Sequence, residues 1–364
     1  MEKKKVALFL PSLAGGGAER VMVSLAEEFS RSGHDVDLVL AKAEGPYLDQ
    51  VPPAVRIIDL NASRVLYSLV PLVRYLKKYQ PESILSALSH ANIIAVFASL
   101  IARINTKTVV SIHSNMTHIS PMTTRPFVSK WISPLIKWSF QKANKVIAVS
   151  QGVAEDAVQT LHLPKEKVQV IYNPVVDEEL IRKANEQVEH PWFAEGMPPV
   201  LLAVGRLTEV KDFPTLIRAF AKLRKTCPVK LIILGEGEKR SELESLIHDL
   251  HLEEDVDMPG FAENPYAYMK RARLFVLSSI SEGLPTVLIE ALACGTEVIS
   301  TDCPSGPKEI LKNGKYGTLV PVGHDHALYE AMKIILETVP EQTNAEAYSP
   351  FWKTNVSRQY LDIL

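Results

Sequence analysis

Short apolar segments alternating with helical stretches, in two series with a break between them, constrain this chain more than any other feature. The first series reads KVALFL, DVDLVL, VRIIDL, SILSA, KTVVSIH, KVIAVS and VQVIY, with helical patterns such as Glu19–Ser30 and Leu66–Tyr79 between. Runs this short and this apolar are strands buried on both faces, and the alternation calls for a parallel sheet with helices packed on it. The rhythm stops at NPVVDEELIRKANEQVEHPWFAEGMPP, residues 173–199, a polar stretch marked by prolines and without a strand, which reads as a domain connection. A second series follows: PVLLAVG, VKLIILG, VDMPG, RLFVLSS, EVIST and YGTLVPV. The expectation is an α/β chain of two doubly wound, Rossmann-like parallel-sheet domains, residues 1–173 and 174–347. Tyr348–Leu364, an amphipathic helix with no strand partner, is expected to pack back on the first domain. In such sheets ligands bind beyond the carboxyl ends of the strands, so the two domains are expected to face each other across one interdomain cleft.

Composition narrows the class. With 364 residues, 46% hydrophobic and 23% charged, the chain has material for two ordinary cores and is not generally disordered. A net charge of −2 gives no general attraction for nucleic acid. The charge is uneven, because no Asp or Glu occurs between Glu82 and Glu155. Cys227, Cys294 and Cys303 have no metal or redox spacing, so reduced thiols in a cytoplasmic protein are expected. MEKKK runs straight into a short strand rather than a secretory signal. Ile84–Ala102, interrupted by Ser86, Ser89, His90 and Asn92, reads as a strand plus a buried helix rather than a membrane span.

Three motifs carry chemistry. PSLAGGGAER puts Gly15, Gly16 and Gly17 between a strand and a helix, where backbone N–H groups and the helix dipole gather anions. It lacks G-x-G-x-x-G spacing, and the second strand ends in VLAKAEG with no ribose-binding acid, which argues against a dinucleotide pocket. A plain tight turn stays open on this motif alone. AVGRLTEVKDFPTL ends a strand at Gly205 and then offers Arg206 and Lys211 before a helix that Asp212 can cap, with Pro214 in its first turn. Two cations at that place suit a diphosphate; two solvated loop charges are the competing reading. SEGLPTVLIEALACG places Glu282 in an approach loop, Gly283, Leu284, Pro285 and Thr286 at a helix N-terminus with Pro285 in the first turn, and Glu290 inside the helix. The neighbours of Glu290 are apolar all round, so its carboxylate needs donors, and a vicinal diol supplies two. An internally paired Glu is the alternative.

With Glu282 and Glu290 spaced E-x7-E, and with GRLTEVK and GGGAER, the chain resembles family 4 glycosyltransferases of the GT-B fold. The resemblance covers nearly the whole chain, including CPSGPKEIL and the terminal helix. It implies retaining transfer of a hexose or N-acetylhexosamine from a UDP-sugar, with neither a bound metal nor another cofactor. The GGGAER opening looks most like bacterial enzymes that build lipid-linked or cell-surface glycans, so a glycan or polyprenyl-diphosphate-linked acceptor is implied. By position, Arg206 and Lys211 would bind the donor diphosphate, Glu290 the ribose and Glu282 the sugar hydroxyls. Backbone of Gly283 to Thr286 would face sugar and phosphates, Gly15 and Gly16 would approach from the other domain, and His113 would lie near the sugar. The base would lie by Phe261 and Ala262. A UDP-sugar epimerase or hydrolase on the same fold, or a non-catalytic nucleotide-sugar-binding protein, are the alternatives.

Some features compete with this assignment. Asp35-Val-Asp37 and Asp255-Val-Asp257 resemble a metal-binding D-x-D, but each opens a strand, the wrong end for a ligand, and solvated strand edges are expected. His324-Asp-His326 opens a helix and reads as a cap supplied by Asp325. Arg125–Lys145 interleaves Lys130, Lys137 and Lys142 with Trp131, Trp138 and Phe140. Such a helix suits peripheral contact with an anionic membrane, a diphosphate acceptor, or plain packing of its aromatics in the core.

Overall fold

The computed structural model describes residues 3–117, 126–339 and 344–364, and for residues 126–133 the backbone alone. It divides into two units, Met1–Pro174 with Lys353–Leu364, and Val175–Trp352. The first unit runs β1 (Lys5–Leu10), α1 (Gly17–Arg31), β2 (Asp35–Leu40), β3 (Arg56–Asp59), α2 (Leu69–Tyr79), β4 (Ser83–Ala87), α3 (Ser89–Ala102), β5 (Lys107–Ile112), α4 (Pro126–Lys142), β6 (Lys145–Ala148), α5 (Gln151–Leu161) and β7 (Val168–Val170). Its sheet has the order β3-β2-β1-β4-β5-β6-β7 and every pairing is parallel. The chain steps outward from β1 to β3 and then returns to β4, so the order reverses at β1, where doubly wound sheets open a crevice.

Strand periodicity distributes the core. Val6, Leu8 and Leu10 of β1 face α1 and enter a cluster with Met22, Leu25 and Phe29, while Ala7 and Phe9 face the other way, toward Leu72 and Leu76 of α2 and Ala95 of α3. The α1 side is completed by α13 (Lys353–Ile363), whose Val356, Tyr360 and Leu361 are buried with Phe29.

The second unit comprises α6 (Glu178–Ala184), β8 (Val200–Val204), α7 (Phe213–Arg224), β9 (Lys230–Leu234), α8 (Arg240–Asp249), β10 (Val256–Gly260), α9 (Pro265–Arg271), β11 (Leu274–Leu277), α10 (Thr286–Ala293), β12 (Val298–Thr301), α11 (Pro307–Ile310), β13 (Thr318–Val320) and α12 (Asp325–Glu337). The sheet order is β10-β9-β8-β11-β12-β13, again all parallel, with its reversal between β8 and β11. Residues 173–199 do more than connect. Asp177 caps α6 by accepting from Leu180 N at 2.7 Å, Asn264 Nδ2 donates to Lys183 O at 2.9 Å, and His190 Nε2 meets Asp257 Oδ2 at 2.9 Å. Polar side chains that read as a linker are thus spent anchoring the segment to its own unit. Val175 N and Val176 N both donate to Phe351 O at 3.0 Å, so the outgoing and returning chain passages run side by side.

Candidate active site

At the carboxyl edge of the second sheet, two loops are pressed together through glycines. Gly205 N continues the ladder to Leu234 O at 3.0 Å. Gly235, at φ +141, has the Gly205 carbonyl oxygen 2.0 Å from where a Cβ would stand, and Gly237 has Leu207 O at 2.4 Å from its own. Only glycine admits that approach, and it shapes the loop carrying Arg206. Arg206 is exposed, and its guanidinium has no ion pair or hydrogen bond among the described residues. A 3-10 turn, Glu209–Lys211, leads to Asp212 at φ 46, whose carboxylate accepts from Thr215 N at 3.4 Å with Pro214 behind it, so the predicted cap of α7 is present.

Lys211 Nζ pairs with Glu282 Oε1 at 2.6 Å, both side chains partly buried. Ser279 Oγ donates to the same oxygen at 2.6 Å, and Ser278 Oγ donates to Lys211 O at 2.7 Å. Ile280 N closes the seam on Val210 O at 2.8 Å. The end of β11 is therefore laced to the loop after β8, and two serines that the motif reading passed over fix both charged partners. Their signal in the sequence was the SS pair at a strand's carboxyl end, directly before SEGLP.

Pro285 is the N-cap of α10, extended at φ −69 and ψ 100, and the helix starts at Thr286; the expectation of Pro285 in the first turn is off by one position. The loop after β12 rests on this turn, since a Cβ at Gly306 (φ +93) would stand 2.5 Å from Pro285 Cδ and 3.2 Å from Gly283 O. Glu290 is 2% exposed, as its apolar surroundings in the sequence imply. Burial together with the Glu290 charge pushes the Cys294 thiol up to about 12, and burial with the Glu282 charge pushes Cys303 up to about 12, so neither supplies a thiolate. Phe261 follows Gly260 (φ +91) at the end of β10 and is 81% exposed, with Ala262 half-buried beside it.

The first unit presents its candidates at its own carboxyl edge. Gly15 takes φ +97, and Gly16 is the N-cap of α1 with no side-chain cap. Gly45 supports the turn from beneath, where a Cβ would lie 2.1 Å from Leu13 O. Tight turn and helix N-terminus coexist here, with the Glu19 carboxylate folded against Gly16, 2.3 Å from where a Cβ would stand. His113 directly follows β5, and its Nε2 lies 2.9 Å from Ser111 Oγ, which donates to Ser86 O at 3.1 Å. The hydroxyl has one hydrogen and the carbonyl can only accept, so both bonds are satisfied together only when His113 donates from Nε2. Its Nδ1 is then bare, and burial lowers the imidazole pKa to about 4.

The competing features resolve into structure. Asp37 is not solvated; it is buried, receives Arg56 at 2.8 and 2.6 Å and accepts from Tyr75 Oη at 2.5 Å. Asp35 pairs with Lys3 at 2.8 Å, and Asp255 with Arg224 and Lys230 at 2.7 and 2.8 Å. At His324-Asp-His326 the helix cap is His324, which accepts from Ala327 N at 3.1 Å, whereas Asp325 binds Lys222 at 2.9 Å. In α4, half-buried Trp138 stacks on Phe97 of α3 with centroids 4.8 Å apart, and Phe140 is buried, so Phe140 is core and Trp138 packs against the neighbouring helix. Arg125 and the side chains of Lys130 and Trp131 lie outside the described residues.

Comparison with known proteins agrees across the whole chain. Residues 15–179 match the family Glycosyltransferase Family 4, and residues 185–350 match Glycosyl transferases group 1. Over 347 residues the chain is 33% identical to the N-acetylgalactosamine-N,N'-diacetylbacillosaminyl-diphospho-undecaprenol 4-alpha-N-acetylgalactosaminyltransferase of Campylobacter jejuni, covering 92% of this chain and 90% of that one. It is 28% identical over 302 residues to the amylovoran biosynthesis glycosyltransferase AmsD of Erwinia amylovora, covering 83% and 81%. A glycosyltransferase from Rickettsia africae shares the fold with a TM-score of 0.81 at 18% identity, over 100% of this chain and 98% of that one. Anabaena HepE in complex with UDP does so with a TM-score of 0.79 at 23% identity, over 98% of each. Two parallel-sheet units, matches to both halves and a 33% identical relative spanning 92% of the chain show that it belongs to the family 4 glycosyltransferases, with the GT-B fold.

Proposed function

We propose that this glycosyltransferase moves a hexose or N-acetylhexosamine from a UDP-sugar to a lipid-linked or cell-surface glycan acceptor, retaining anomeric configuration and without a metal. The observation that carries the reading is the cation arrangement at the β8–β11 reversal. Arg206 stands unpaired among the described residues, while Lys211 is held by the Glu282 carboxylate at 2.6 Å, which a diphosphate can displace. Two cations on one loop supply the countercharge that a departing UDP needs. Exchange of Lys211 onto phosphate frees Glu282 to accept from sugar hydroxyls, and Glu290 accepts from the ribose diol. The glycosidic bond to UDP breaks as the acceptor oxygen bonds to the anomeric carbon on the same face, and the acceptor proton passes to the departing phosphate oxygen. No protein nucleophile is assigned, in keeping with the protonated Cys294 and Cys303. The backbone of Gly15, Gly16, Gly205 and Gly283–Thr286 serves sugar and phosphates, Phe261 and Ala262 the base, and neutral His113 the sugar. The acceptor class draws support from the names of the Campylobacter jejuni relatives, which act on undecaprenol-linked glycans, and the donor class from Anabaena HepE, seen with UDP and with UDP-glucose. A cytoplasmic enzyme visiting the inner membrane face, in part through Arg125–Lys145, belongs to the same reading.

UDP release measured across a UDP-sugar panel, with and without a lipid-linked acceptor extract, tests it. One donor should respond to acceptor, the product should keep the donor's anomeric configuration, and a chelator should leave the rate unchanged. Lys211→Ala and Glu290→Ala should each lower kcat/KM by about 10²-fold or more. Undiminished turnover in either variant, or donor consumption indifferent to acceptor, defeats the assignment.

A further inference from the structure

Two donors converge on one oxygen of Glu282. Lys211 Nζ and Ser279 Oγ each stand 2.6 Å from its Oε1. They are held very differently. Lys211 ends a 3-10 turn, Glu209–Lys211, and its ammonium rides on a flexible stem that is 21% exposed. Ser279 has a stem of one carbon, is fully buried, and lies just past the end of β11. Its backbone is pinned from the neighbouring strand, because buried Thr301, at the end of β12, donates from Oγ1 to Ser279 O at 2.6 Å. A carboxylate and a carbonyl only accept, so the single hydroxyl hydrogen of each residue is committed. Thr301 points its proton at the Ser279 backbone, and Ser279 points its own at Glu282.

Donor binding acts on these two partners unequally. A diphosphate concentrates more negative charge than one carboxylate and recruits the Lys211 ammonium, which its stem lets swing. Ser279, short and enclosed, has no freedom to follow. We propose that Ser279 is a positioning residue that keeps Glu282 in place when Lys211 passes to the donor diphosphate, with Thr301 fixing Ser279 for that purpose. Its hydroxyl then matters more in the loaded state than in the empty one, where Lys211 neutralises the same carboxylate oxygen. The proposal rests on the donor reading of Lys211 and Glu282 given above, and adds two residues that act only through Glu282.

Calorimetric titration of the full chain with UDP tests it, in wild type, Ser279→Ala, Glu282→Gln and the double variant Ser279→Ala/Glu282→Gln. Because the bond is to a charged group that has given up its cation, Ser279→Ala should weaken UDP about tenfold. Once Glu282 is replaced by the neutral amide, the same substitution should move the UDP Kd by less than about twofold, since no charge is left to hold. A purely structural serine would weaken UDP equally in both backgrounds, and that result overturns the proposal. Thr301→Val removes the bond to Ser279 O and should weaken UDP by about threefold, again only while Glu282 is present. It carries the same cycle if melts show that Ser279→Ala no longer folds. A wild-type chain that binds no UDP defeats the donor reading and this proposal together. UDP bound by wild type with a Kd that Ser279→Ala leaves unmoved defeats this proposal alone.

Discussion

Arg206 and Lys211 lie on one loop, yet only one of them is tied into the structure. Lys211 is gripped by Glu282, with its backbone held by Ser278, whereas Arg206 touches no partner among the described residues. Arg206→Ala should therefore leave Tm unchanged and lower kcat/KM about 10²-fold, while Lys211→Ala should lower both, because it removes the cation that balances the partly buried Glu282 carboxylate. Thermal melts beside steady-state kinetics separate the two. At His113 the bond network demands a proton on Nε2, which nitrogen-15 spectra of labelled histidine should report as one tautomer with a bare Nδ1; Ser111→Ala should mix the tautomers. Because the folded pKa, about 4, lies below the ordinary 6.5, the stability tied to neutral His113 is complete above pH 6.5 and is lost as pH falls toward 4. His113→Asn should flatten that acid limb in melts taken across the interval. The charged residues of the candidate site were legible in the sequence because a cation or carboxylate at a strand's carboxyl end has few structural excuses. Ser278 and Ser279 were not, since serine is at home in any turn and only its partners reveal a task.

At the scale of elements, the strands were the most readable feature, as burial on both faces leaves an unbroken apolar run that little else produces. All thirteen expected strands are present, with ends trimmed by a residue or two. Caps were less readable. His324 and Asp325 are adjacent polar residues at one helix start, and the choice between them was made by Lys222, a partner far away in sequence that draws Asp325 off. Residues 173–199 do more than connect for a related reason, since their polarity also serves contacts such as His190–Asp257 that no local pattern announces. The glycine contacts between the loops after β8 and β9 predict that Gly235→Ala costs about 2–4 kcal/mol and weakens UDP binding, because a Cβ 2.0 Å from Gly205 O moves the backbone on which Arg206 stands. Thermal melting and calorimetric UDP titration check both halves of that statement. Within α1, burial raises the pKa of Glu28, so its ionised form is penalised in the fold and the penalty grows as pH rises through the raised value. Glu28→Gln should raise Tm at neutral pH and leave it unchanged where the carboxyl is already protonated.

For the molecule as a whole, the chain leaves the first unit after Pro174, builds the second, and returns at Lys353 to complete the first. Val356, Tyr360 and Leu361 of α13 belong to the core that Phe29 and Met22 of α1 begin. Removing Lys353–Leu364 should open that core while leaving the second sheet intact. Hydrogen exchange should show it, with protection lost in β1 and α1 and kept in β8 and β9. The return of α13 to the first unit was expected from a helix left without a strand partner, but which core it closes was not, because local pattern says little about long-range closure. The consequence reaches into biosynthesis. On the ribosome the first unit emerges first but has no lid for its α1 face until Lys353–Leu364 is translated, so the second unit can finish folding before the first. A prematurely stopped chain would display a greasy, unclosed sheet to the proteases that survey nascent proteins.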